Sequence, residues 1–190
     1  MLCPDGCLVF GFDKLIMPRA SSHFVYFAYG SNMLTRRLTA TDRAPSAVPI
    51  GTGYVSNRRL TFDKVSRDGS GKCDIEITIS STDRVYGILF DISSTEKSSL
   101  DSAEGLGEGY RKEQIQVVTP NGEAYEAIAY VATKKDPALR PYDWYKALVI
   151  AGATEHKLPH EYVEWLRTLD SVVDPNANRR SVNESLLCAR

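Results

Sequence analysis

The stretch His23-Phe-Val-Tyr-Phe-Ala28 constrains this chain more than any other. It is apolar and aromatic on both alternating faces, which predicts a short strand covered on both sides. The strand runs without a spacer into Tyr29-Gly30-Ser31-Asn32, and Met33–Leu38 beyond it has helical composition. A buried strand, a glycine turn and a helix start present consecutive backbone N–H groups, an arrangement suited to an anion or a developing oxyanion. A plain tight turn, with Ser31 or Asn32 capping the helix, accounts for the same residues.

The rest of the chain supplies partners for that strand. Strands are predicted over 47–56 and 58–63, and Arg67-Asp-Gly-Ser-Gly71 reads as an exposed, mobile turn. Ile75, Ile77 and Ile79 alternate with Glu76 and Thr78 as in a half-buried strand, whereas Val85–Phe90 is apolar on both faces and therefore central. Ser93 and Glu96 stand at capping-box spacing, and Gly105 ends the helix they open. Tyr110–Thr119 and Glu123–Thr133 form a hairpin across Pro120-Asn121-Gly122. Pro141 opens a helix to about Gly152, with Trp144, Leu148 and Ala151 at core spacing, and Leu158–Leu169 is a second helix. Residues 1–22 read as an irregular leader and 174–190 as a loosely held tail. Between them, 23–173 shows no repeat and no linker, so one compact domain is expected.

Composition narrows the function. Lys plus Arg (23) nearly cancels Asp plus Glu (24) for a net charge of −1, which gives no general pull toward nucleic acid or an anionic membrane. Cys3, Cys7, Cys73 and Cys188 form no disulfide framework, and the Cys3/Cys7 pair has no second pair at zinc spacing. The apolar run Leu8–Phe12 is too short for a secretory segment, and nothing approaches membrane-spanning length. A cytoplasmic soluble protein with reduced thiols is expected. Ten tyrosines outnumber the six phenylalanines and two tryptophans together. Such side chains suit the wall of a wet pocket, and half-buried strand positions equally well.

Glu104 is the second candidate for chemistry. It lies four residues after Leu100, on the stripe that faces the core. A carboxylate there is costly unless paired, and burial raises its pKa toward the range of a general base. A helix-end glutamate turning into solvent is the alternative. Asp101 and Glu108 read as solvated surface acids. Gly105-x-Gly107-x-Gly109 follows a helix and lacks the phosphate-loop spacing, and Pro159 separates His156 from His160, so neither predicts a ligand site. The arginine pairs 36–37, 58–59 and 179–180 read as solvated, and Asn183-Glu184-Ser185 is a sequon without a secretory context.

Phe27-Ala28-Tyr29-Gly30-Ser31-Asn32-Met33 resembles the opening motif of the gamma-glutamylcyclotransferase family. The match continues in order. Val85-Tyr86-Gly87-Ile88-Leu89-Phe90 resembles the family's central strand, and Ser99-Leu100-Asp101-Ser102-Ala103-Glu104-Gly105 the segment with its catalytic glutamate. Tyr145-Lys146, Gly152-Ala153 and Leu158-Pro159-His160-Glu161-Tyr162 resemble its closing helices, so the likeness spans roughly residues 24 to 175. It implies a mixed α/β (α+β) fold with a small, barrel-like sheet flanked by helices. The implied activity is cyclisation of a γ-glutamyl amide to 5-oxoproline with release of the amine, without metal or cofactor. Glu104 would be the acid/base residue, Tyr29, Gly30, Ser31, Asn32 and Met33 the substrate-holding loop, and Tyr110, Tyr130 and Tyr145 pocket residues.

The implied partner is a small γ-glutamyl molecule, and the resemblance allows a monomer or a homodimer. Residues 72–79 and Lys157 depart from the family pattern, which bears on substrate preference. Other readings are a γ-glutamyl amine, glutathione or an acyl-carrier-linked γ-glutamyl group as substrate, or a catalytically silent member that binds a ligand or partner.

Overall fold

Strand pairing follows from where the apolar runs lie. The computed structural model describes residues 22–188. Strand β1 (His23–Ala28) lies beside β5 (Arg84–Ser93), antiparallel, with Phe27 opposite Leu89 and Ala28 opposite Ile88. On its far side β5 pairs with β2 (Val48–Ser56), antiparallel. That central place explains its continuous apolar run, in which Val85, Gly87 to Phe90 and Ile92 are all buried. β2 meets β6 (Tyr110–Val118) at Tyr54 and Val118, and β6 forms the predicted hairpin with β7 (Ala124–Ala132). β7 then returns to β1 in parallel, Tyr26 opposite Ile128, and closes a barrel in the order β1-β5-β2-β6-β7. Two-sided burial of β1 holds for Tyr26, Phe27 and Ala28, while Phe24 and Val25 are half-buried.

β3 (Arg58–Val65) and β4 (Gly71–Ile77) form a separate antiparallel ribbon. Here two expectations fail. Ile75 is buried, but Ile77 is 68% exposed and Ile79 fully so, because the ribbon is its own two-stranded sheet and its far end has no layer against it. The turn at 67–71 is also tied down. Asp68 accepts from the N–H and hydroxyl of Ser70 and from Lys72, and Gly71 N–H donates to the Arg140 carbonyl at 2.9 Å.

Helix α1 is the single turn Thr35–Leu38, and α2 (Lys97–Glu104) ends at Gly105 in the left-handed region, φ +67°. Ser93 accepts the expected cap bond from Thr95 N–H, but Glu96 does not close a capping box. Its carboxylate takes the N–H and hydroxyl of Ser46 instead, joining α2 to the segment before β2. α3 (Asp143–Glu155) buries Trp144, Tyr145, Leu148, Val149, Gly152 and Ala153, with Ala151 half-buried, and α4 (His160–Thr168) follows Pro159.

The tail is a further correction. Residues Ala177–Cys188 form α5, which packs on α3. Asp174, 1% exposed, accepts from Trp144 Nε1 at 2.8 Å and from two guanidinium nitrogens of Arg179 at 2.6 Å each. α5 buries no residue completely, so it has no apolar period to announce it; a polar clip holds it instead. Apart from Ser22, the leader 1–22 lies outside the described residues, as do Cys3 and Cys7. No helix among the described residues is long and apolar enough to cross a membrane.

Candidate active site

The turn after β1 is shaped by what presses on it. Gly30 to Met33 form a tight helical turn closed by Met33 N–H to the Gly30 carbonyl, 2.9 Å. Helix α3 approaches so closely at Gly152 that a Cβ there would lie 2.4 Å from Met33 C and Leu34 N. The glycine in α3 thus permits the contact that holds the turn. Neither Ser31 nor Asn32 caps α1. Ser31 Oγ accepts from Arg37 Nε at 3.1 Å. The Asn32 amide instead donates to the Glu104 carboxylate and to Tyr26 Oη (3.3 Å), and its oxygen accepts from Arg43 Nη1 at 3.3 Å.

Glu104 therefore points into the protein from the last turn of α2, with its side chain 16% exposed. Burial raises its pKa above the usual glutamate value, against the downward pull of Arg43, Arg37, the Asn32 hydrogen bond and Lys64. Arg43 Nη1 stands 3.9 Å from its Oε1. The helix stripe correctly places this carboxylate inward, and the solvent-facing alternative is excluded.

Tyr29, Gly30, Ser31, Asn32, Glu104, Tyr110, Tyr130 and Tyr145 line one small cavity, together with Tyr26 and Cys73. Met33, expected with the loop, does not line it; it is fully buried beneath the turn against α3. The tyrosine tips mostly bind the frame. Tyr29 donates to the Tyr130 carbonyl, Tyr110 to the Cys73 carbonyl at 2.7 Å, and Tyr130 to Asp101 at 2.6 Å, while Tyr145 Oη accepts from Cys73 N–H at 3.2 Å. Burial pushes every one of the five lining phenols upward and the Cys73 thiol up to about 12. Among the residues lining this inner cavity Glu104 is the one carboxylic acid, and burial shifts it upward from the ordinary glutamate value.

Outside Glu104 the cavity opens into a larger polar mouth, which shares Ser31, Asn32, Glu104, Tyr110 and Tyr145 and adds Arg37, Arg43, Lys64 and Lys72. Lys72 is bonded to Asp68 at 2.7 Å and stacks over the Trp144 and Tyr145 rings. Burial still lowers its pKa to about 8.

Several residues escaped the sequence reading. Asp101 is no solvated acid, since it holds Tyr130 and Lys112 (3.0 Å), whereas Glu108 is 63% exposed as expected. The arginine pairs are not simply solvated: Arg37 bonds Ser31 and Asn183, Arg58 pairs with Glu113, Arg59 with Glu76, and Arg179 with Asp174. Tyr26 had a signal, the one polar tip on the buried half of β1; Arg43, in a loop, had none. Among the described residues no cluster of His, Cys, Asp and Glu is placed to hold a metal.

A small closed barrel with this turn and a buried helix-end glutamate defines a class that comparison with known proteins identifies. A model of the AIG2-like family matches residues 84–166. The chain is 33% identical over 168 residues to Gamma-glutamylcyclotransferase of Mus musculus and 32% to that of Homo sapiens, covering 86% of this chain and 85% of each relative. A solved structure named Gamma-glutamyl cyclotransferase superposes with a TM-score of 0.76 at 27% identity, over 86% of this chain and 99% of that one. The chain belongs to the gamma-glutamylcyclotransferase family of enzymes.

Proposed function

We propose that the protein cyclises a γ-glutamyl amino acid or amide to 5-oxoproline and releases the amine, with Glu104 as the single acid/base. The carrying observation is that Glu104 is the one carboxylate lining the tyrosine-walled cavity, held there by Asn32 of the turn and with its pKa raised by burial. Ionised Glu104 takes a proton from the substrate's α-ammonium. The freed nitrogen attacks the γ-carbonyl carbon, forming the ring C–N bond and a tetrahedral oxyanion. Protonated Glu104 then gives its proton to the departing nitrogen, and the original amide C–N bond breaks as the carbonyl re-forms. The carboxylate, ionised again, takes the second proton from the ring nitrogen and passes it to the released amine, which leaves as an ammonium and returns Glu104 to its starting state.

Nucleophile and electrophile belong to one molecule, so the tyrosine-walled cavity has mainly to fold the substrate into an attack conformer. No nucleophilic side chain is needed, which accords with a Cys73 thiol held protonated. The inward placement of Glu104 favours catalysis over a silent ligand-binding role.

The test is Glu104→Gln, which keeps an acceptor for Asn32 and removes the proton carrier. Assayed for 5-oxoproline across a panel of γ-glutamyl dipeptides and amides, it should fold normally and lose about 10²- to 10⁴-fold in turnover. Near-wild-type turnover, or no product from the wild type with any panel member, refutes the assignment.

A further inference from the structure

The mouth holds four cations, and two of them are answered. Lys72 has Asp68, and Arg43 stands 3.9 Å from Glu104. Arg37 and Lys64 have no carboxylate within 4.0 Å among the described residues. Lys64 lies over the Tyr110 ring at 4.4 Å. Among the described residues Arg37 donates only to neutral oxygens, Nε to Ser31 Oγ at 3.1 Å and Nη1 to Asn183 Oδ1 at 3.2 Å, and its Nη2 meets no acceptor there. Burial and the neighbouring Arg43 charge pull the Arg37 pKa down, as expected of a guanidinium lacking its counter-ion. A partly buried cation without an anion is unfavourable, and a ligand carboxylate removes that cost.

Position says which part of the substrate supplies it. The inner cavity is lined by tyrosines, the Gly30–Asn32 turn, Cys73 and Glu104, with no cation among them; the cations begin at the mouth. On the γ-glutamyl reading, Glu104 serves both the attacking and the departing nitrogen, so it marks the boundary. The glutamyl carbons lie inside, and the departing amine faces Arg37.

The C-terminal helix completes the subsite. Asn183 Nδ2 is committed to the Arg179 carbonyl at 2.8 Å, which turns its oxygen to Arg37. Arg179 is itself clamped by Asp174, and Asp174 is bonded to Trp144 of α3.

We propose that Arg37, held by Asn183 of α5, is with Lys64 the subsite that reads the departing amine, and selects substrates in which that amine carries a carboxylate. The proposal rests on the cyclotransferase reading, and the experiment separates the two. γ-Glutamyl-L-alanine and γ-glutamyl-L-alaninamide differ only in the mouth-side carboxylate, and 5-oxoproline release gives kcat/KM for each. The wild type should favour the acid by about tenfold or more, the scale of one charge-assisted hydrogen bond. Arg37→Gln and Lys64→Gln should drive this ratio toward one, Arg37→Lys should retain part of it, and Asn183→Ala should lower it through KM with little change in kcat. Because Arg37 also braces Ser31, any movement of the turn affects both substrates, and the ratio cancels it.

A wild-type ratio near one overturns the proposal. So does an Arg37→Gln variant that loses equally on both substrates, which would make Arg37 a prop for Ser31 or a partner of the glutamyl carboxylate. N-Glutaryl-L-alanine and its alaninamide lack the α-amine, cannot cyclise, and report binding alone by calorimetry. If no 5-oxoproline forms but the acid binds more tightly in an Arg37-dependent way, the cyclotransferase reading falls and the subsite stands. Equal binding of acid and amide refutes the subsite.

Discussion

Gly152→Ala sets two effects of opposite sign against each other. Alanine is about 1 kcal/mol better than glycine inside a helix, which alone raises the Tm of a chain this size by about 2–4 °C. The new Cβ, however, would lie 2.4 Å from Met33 C and Leu34 N and 2.6 Å from Met33 Cβ. Ordinary contact begins near 3.4 Å, so the turn or α3 must move by about 1 Å. Overpacking costs about 1–3 kcal/mol, and two of the three atoms met here are backbone, which puts the cost at the upper end. The net is a loss of about 2 kcal/mol and a Tm lowered by about 4–8 °C. The same movement carries Asn32, next to Met33, away from Glu104, and misplacement on this scale costs about 10²-fold in rate. Scanning calorimetry and 5-oxoproline turnover read both effects. Gly51→Ala, whose Cβ meets nothing within 4 Å, is the control. A Gly152→Ala protein that gains several degrees and keeps its turnover would show that this contact does not hold the turn.

Other outcomes follow from charge and burial. Glu104 must be ionised to accept a proton and burial raises its pKa, so kcat/KM should fall on the acid side at a pH above the ordinary glutamate value of 4.5. Arg43→Met removes a counter-charge and should move that limb further up; a limb at or below the ordinary value contradicts the buried placement. Arg179 and the surrounding hydrogen bonds hold Asp174 well below the usual carboxylate range, so its contribution to stability is present above its unfolded pKa and lost as pH falls toward the folded one. Asp174→Asn should lower Tm at pH 7, with the gap to wild type narrowing below about pH 4; a pH-independent gap is the contrary result. Cys73 is 1% exposed with its thiol pushed up to about 12, so iodoacetamide at pH 8 should label Cys188 in the native protein and reach Cys73 only in denaturant, as read by mass spectrometry. Native labelling of Cys73 would mean that the cavity wall opens.

The strands were legible because each carries its burial in its own composition: β5 is apolar on both faces and lies between two neighbours. The inward Glu104 was legible for a similar reason, since Leu100, the one buried residue of α2, sets the core-facing side and the carboxylate falls one turn beyond it. What stayed hidden depends on partners distant in the chain. Glu96 has the spacing of a capping box, but Ser46 outcompetes the backbone for its carboxylate. Asp101 looks like any surface acid until Tyr130, 29 residues away, arrives over it. α5 is held by one aspartate and one arginine, and no periodicity reveals a clip. Ile77 and Ile79 follow the alternation of a half-buried strand, yet nothing packs on that end of the ribbon.

The parallel seam between β1 and β7 has a consequence for how activity is acquired. Every other join in the barrel is antiparallel, and the hairpin β6–β7 forms between near neighbours. The seam joins positions about a hundred residues apart, and the Tyr29 hydroxyl bonded to the Tyr130 carbonyl lies across a span of 101. Of the barrel's joins this one carries the largest closure entropy. Tyr26, Tyr29 and Tyr130 all stand at this seam, so the cavity is complete only when the seam is closed. Recovery of turnover after dilution from denaturant therefore clocks barrel closure itself, and should trail any signal from the β6–β7 hairpin.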